Sequence, residues 1–112
     1  AVAGNASAVP PPQVSGACFE AARAAAPVLR VGAELGNSYY CRRCQGRGRQ
    51  FAVAWARRVR FGGSAARPEE KTIRVAACLP KVCLAWQARE LLRWLLLRSR
   101  GAGWLLVGPL DA

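Results

Sequence analysis

Five cysteines, Cys18, Cys41, Cys44, Cys78 and Cys83, offer the most definite chemistry in this chain. Disulfide pairing is the first chemistry that fits. Bridges staple small domains in oxidising compartments, and each native bridge contributes about 2–5 kcal/mol. Spacing alone leaves the pairing open. Cys18 is expected to meet the Cys41/Cys44 corner, with Cys78 and Cys83 close to the helix they precede. An odd cysteine is then left over, to be buried or to bridge a partner chain. A four-thiolate zinc site from Cys41, Cys44, Cys78 and Cys83 is the alternative, because Cys41-x-x-Cys44 makes a good half-site for a tetrahedral ion. The second half is poorer, with four residues between Cys78 and Cys83. A redox Cys-x-x-Cys is the third option, since Arg42 and Arg43 would favour a thiolate. That motif, however, precedes the Gly/Arg run Gly46-Arg47-Gly48-Arg49 rather than opening an evident helix.

Arginine is the second chemical theme. Seventeen basic residues stand against six acidic ones, a formal net charge of +11, and the only lysines are Lys71 and Lys81. Such a field attracts nucleic acid, anionic membranes, sulfated glycans or acidic proteins, and guanidinium groups suit forked contacts to phosphate and carboxylate. Arg42, Arg43, Arg47, Arg49, Arg58 and Arg60, near Tyr39 and Tyr40, are the candidate contacts for an anionic partner. Solvation of an outer sheet face explains the same arginines more plainly. The chain has no histidine, which excludes Ser-His and Cys-His catalytic pairs within it. With few carboxylates and no phosphate-loop motif, no enzymatic mechanism and no resident cofactor is expected, zinc excepted as above.

These side chains need elements to hold them. The length of 112 residues and an apolar content of 53% suit one small domain. Residues 1–14 read as an extended leader around Pro10-Pro11-Pro12, and 15–112 as a single α+β domain. The start, Ala1-Val-Ala-Gly-Asn, with no methionine, looks like material downstream of a cleaved signal. Asn5-Ala6-Ser7 is a glycosylation sequon in a secretory context. A helix is expected from Ser15, as cap, to Ala26, ended by Pro27. A short strand is expected within 28–35, ending near the turn pair Gly36-Asn37. Period-two alternation marks a strand over Phe51–Phe61, with Phe51, Val53, Trp55, Val59 and Phe61 as a bulky buried face and Ala52, Ala54, Ala56, Arg58 and Arg60 outside. Arg57 falls on the bulky parity, where Glu34 or Glu20 would be its partner. A polar loop leads to a second strand, Thr72–Leu79, for an antiparallel hairpin. Helical spacing of Leu84, Ala88, Leu91, Leu92 and Leu95 predicts a helix to Arg98, with Gln87, Arg89, Glu90 and Arg93 wet. Trp104–Val107 is a last strand before Gly108-Pro109. The expected fold is therefore a small antiparallel sheet with two helices, stapled by cysteines. Charges interrupt Leu84–Val107, so no membrane span is expected.

The run Ile73-Arg-Val-Ala-Ala-Cys78-Leu-Pro-Lys-Val-Cys83, followed by a helix with Glu90-Leu91-Leu92, resembles the end of extracellular "nose resistant to fluoxetine" domains. Those carry a strand, Cys-hydrophobic-Pro-x-x-Cys, and a helix. Tyr39-Tyr40-Cys41 is similar to the aromatic-Cys opening of an earlier strand there. Leu84 replaces the usual Ser or Thr after the second cysteine. The resemblance covers about a quarter of the chain. It implies an extracellular disulfide domain, with Cys78 and Cys83 as bridge-forming positions and no catalytic residue.

Two functions from different classes follow. One is a secreted or lumenal disulfide-bonded binding domain whose basic surface takes an acidic protein partner or partner chain. The other is a basic structural subunit of an organellar assembly, a ribosome or respiratory complex, contacting RNA or acidic neighbours and holding zinc at the four later cysteines.

Overall fold

The computed structural model describes residues 14, 16–32, 38–60 and 69–111. The leader with Asn5, the cap Ser15, the turn at Gly36-Asn37 and the loop 61–68 lie outside the described residues. Helix α1 (Gly16–Ala25) leads to the short strand β1 (Arg30–Val31), then to helix α2 (Ser38–Gly46). Two long strands follow, β2 (Arg49–Arg60) and β3 (Glu69–Pro80), then helix α3 (Ala85–Arg100) and strand β4 (Trp104–Asp111). The fold is α+β, as expected, with a four-stranded antiparallel sheet in the order β1-β3-β2-β4. Among the described residues it has three helices rather than two. The extra one is α2, over Tyr39–Gln45, where an aromatic strand opening and a Gly/Arg loop were expected. Gly46 ends it, and Gly48, at φ +71°, turns the chain into β2.

β2 and β3 form the expected hairpin, in unbroken register from Arg49↔Pro80 to Arg60↔Glu69. Its buried face is the reverse of the expected one. Ala52, Ala54 and Ala56 are buried, Ala56 at 0% exposure, with Val75, Ala77 and Leu79 beside them on β3. Cys18 and Ala22 of α1, and Ala88, Leu91, Leu92, Leu95 and Leu96 of α3, complete this core. The inversion has a packing cause. Two helices cover this face, and methyl-sized residues on β2 leave room for the leucines of α3 to reach the sheet at close-packed density. The bulky parity of β2 therefore lies on the opposite face, where Phe51, Val53 and Ala76 make only a small second cluster.

Helix α3 runs two residues past the expected end, and Leu84 is its exposed N-cap rather than a core residue. Gln87, expected wet, is buried, because its Oε1 accepts the Leu84 N–H at 2.8 Å. That bond satisfies one of the donors a helix start leaves open. At the other end the Gly101 N–H bonds to the Leu97 carbonyl, with φ +90° at Gly101. Arg89, also expected wet, is half-buried and reaches the Leu106 and Gly108 carbonyls of β4 at 3.3 and 3.4 Å. There β4 bulges, with Val53 opposite Asp111 but Trp55 opposite Val107. Gly108 takes φ +73° inside the bulge, which carries the strand past Pro109.

Candidate binding surface

Two disulfides position the layers. Cys18–Cys83 joins α1 to the turn before α3, with Cα atoms 4.8 Å apart. Cys44–Cys78 joins α2 to β3, with Cα atoms 5.7 Å apart. Cys18 thus bridges to Cys83, not to the Cys41/Cys44 corner. Pairing follows from the layers: α1 shares the helical face with Cys83, while Cys78, on the other parity of β3, points to the face that carries α2. Cys41 lies in α2, its side chain outside the described part. With Cys44, Cys78 and Cys83 in bridges, and Cys83 paired away from the other two, the proposed zinc quartet is not assembled. Among the described residues no cluster of metal-ligating side chains is found. The same pairing overturns the redox motif, since Cys44 is bonded to Cys78 rather than to Cys41.

The face opposite the helical core is the most chemically distinctive surface. α2 covers one end of it, tethered through Cys44–Cys78 over Phe51. Arg30 of β1, Arg43 of α2 and Arg47 of the following turn ring a shallow hollow of about 50 Å3 there, against Phe51 and the bridge. Further along the sheet the face is open to solvent. Register places Arg74, Trp55 and Val107 in one row across three strands, and Thr72, Arg57 and Leu105 in the next. Trp55, Leu105 and Val107 are 47%, 63% and 44% exposed. The Arg74 guanidinium lies over the Trp55 ring, 4.8 Å from its centroid, a cation–π contact that keeps a charge beside an aromatic surface. Arg57 pairs with Glu70 at 3.5 Å, because Glu70 lies diagonally across the hairpin on the same face; of the expected partners, Glu20 makes no ion pair with it among the described residues, and Glu34 lies outside them.

The six arginines expected to act together divide between two places. Arg42, Arg43 and Arg47 are exposed on α2 and its turn, and Arg49 opens β2. Arg58 lies nine residues further along the same strand, about 30 Å away at strand rise, and on the opposite parity from Trp55. It is half-buried and stacks over Trp104 at 5.0 Å. Backbone pairing puts Arg60 opposite Glu69, with its side chain outside the described part. The surface instead takes in Arg30, Arg57 and Arg74, which are scattered in sequence and brought together by strand register. The period-two pattern puts Arg57 and Trp55 on one parity, and both, expected on the buried face, are exposed. Of the four tryptophans, Trp104 is buried and Trp94 half-buried, while Trp55 and Trp86 are exposed.

No protein-family model matches the chain, and no curated protein or solved structure matches it. Among the described residues no helix is long and apolar enough to cross a membrane.

Proposed function

We propose that this chain is a non-enzymatic, secreted or lumenal binding domain that docks an acidic protein partner on the open face of its sheet. The observation that carries this reading is the row Arg74–Trp55–Val107 beside Arg57 and Leu105. It is an exposed aromatic and aliphatic strip edged by guanidinium groups, on the same sheet face as the basic hollow of Arg30, Arg43 and Arg47 and separated from it by the buried pair Val53–Ala76. Apolar contact surface supplies binding energy, and arginines and aromatics are the side chains enriched at interface centres. The charge of +11 favours an acidic partner and speeds its approach. Two bridges support an oxidising compartment. The resemblance of the Cys78–Cys83 segment to extracellular domains supports the same placement, as does the sequon at Asn5.

Binding of a fluorescent poly-glutamate peptide by anisotropy tests the face, with a single-stranded RNA oligomer of equal charge as competitor. Trp55→Ser, and separately Arg43→Glu with Arg47→Glu, should each weaken the peptide at least tenfold. Arg93→Glu with Arg100→Glu, on the helical layer, should weaken it less than threefold. Equal losses from both arginine pairs would show binding by net charge alone and would overturn the surface. Tighter, steeply salt-dependent binding of the RNA would favour the organellar subunit instead.

A further inference from the structure

Helices α1 and α3 do not close against each other along their whole length. Between the second half of α1, the segment Pro27–Leu29 and the later turns of α3 lies a groove of about 600 Å3. Phe19, Leu29, Leu91, Trp94 and Leu95 give it apolar walls, and Ala22 and Ala26 add only methyl groups. That volume and lining fall within the range of small-molecule sites. Two arginines, Arg23 from α1 and Arg98 from α3, also line it, and both are exposed. Among the described residues neither has an ion-pair partner. Arg98 stacks over Trp94, its guanidinium 5.0 Å from the ring centroid. The Trp94 Nε1–H is buried and has no hydrogen-bond acceptor. A buried donor without an acceptor is uncommon in a folded chain.

These features select one ligand chemistry. Apolar walls take a hydrocarbon chain. Two cations without carboxylate partners at the edge of those walls call for an anionic head, and a long-chain ammonium would be repelled. We propose that this groove binds a single-chain anionic amphiphile of the fatty-carboxylate type, with its tail along Phe19, Leu91 and Leu95 and its head at Arg23 and Arg98. The groove lies on the helical layer, away from the sheet face assigned to an acidic protein, and the inference stands without that assignment.

Calorimetric titration of the full, bridged chain with submicellar octanoate, decanoate and laurate tests it, with dodecanol and dodecyltrimethylammonium as head-group controls. Laurate should bind one to one, with affinity rising roughly two- to fourfold per methylene along the series, as expected for about 0.8 kcal/mol per buried methylene. Dodecanol should bind at least tenfold more weakly than laurate, and the ammonium should not bind. Arg23→Glu with Arg98→Glu should lower laurate affinity at least tenfold. Val28→Glu should do the same through one exposed groove residue whose replacement leaves the core untouched, which keeps the test sound if the double variant misfolds. Arg43→Glu with Arg47→Glu should leave laurate binding unchanged. Absence of saturable laurate binding, equal binding of the ammonium, or unaltered affinity in folded Val28→Glu would overturn the proposal. Binding of an acidic amphipathic peptide in place of laurate would overturn it too, by assigning the groove to a partner helix.

Discussion

The Cys18–Cys83 bridge encloses the Cys44–Cys78 bridge, and that nesting sets what each contributes. The outer bridge spans 65 residues and the inner one 34. Taken singly, loop-closure entropy assigns about 4.3 kcal/mol to the outer and about 3.8 kcal/mol to the inner. With the inner bridge closed, the effective outer loop shrinks to about half its contour, and its contribution falls to about 3.7 kcal/mol. Cys18 and Cys83 are both buried in the main core, so replacing them also loses contacts there. The variant Cys18→Ala with Cys83→Ala should therefore lose about 4 kcal/mol, against a total of about 5–15 kcal/mol for a typical domain. In urea, at a slope of about 2 kcal/mol per molar, the midpoint should fall by about 2 M. Cys44→Ala with Cys78→Ala should lose about 3 kcal/mol, and the four-site variant slightly more than the sum of the two pairs, because each bridge contributes less while the other is closed. Urea titration followed by circular dichroism measures all three. A loss below about 1 kcal/mol for the outer pair would refute the reasoning. So would a non-reducing peptide map that linked Cys18 to Cys41 or Cys44.

Two further predictions concern the layers. Ala54→Leu places three extra heavy atoms under α3, where the site is already full, and should cost about 1–3 kcal/mol. Trp55→Ala, one residue along on the open face, should cost less than about 1 kcal/mol in the same denaturation assay; the opposite order would restore the bulky parity as the core. Gln50 donates through Nε2 to the Pro80 and Cys83 carbonyls, both at 2.8 Å, and so holds the turn that carries Cys83. Gln50→Ala should destabilise by about 1–2 kcal/mol, and faster hydrogen exchange at Lys81–Leu84 than elsewhere in the sheet would locate the loss.

Some of this protein was settled by its sequence alone. The alternation of Ile73, Val75, Ala77 and Leu79 with Thr72, Arg74, Ala76 and Cys78 identified β3 as a strand. The spacing of Ala88, Leu91, Leu92 and Leu95 identified the core face of α3. The arginine excess, the absence of histidine and the abundance of cysteine likewise needed no structure to be informative. Other features depended on what lies across a layer. In β2, both parities are apolar, bulky residues on one and alanines on the other, so local pattern could not rank them. The helices rank them, since only the alanine face lets α1 and α3 approach. Cys18 met Cys83 because α1 lies on the helical layer, and that placement has no signature in the spacing of five cysteines. Helix α2 was hidden by its polar, Gly-flanked sequence, which reads as loop until a bridge to β3 anchors it. The rows Arg74–Trp55–Val107 and Thr72–Arg57–Leu105 exist only through pairing of β3, β2 and β4. Strand register joins residues far apart in sequence, and tertiary structure alone decides that register.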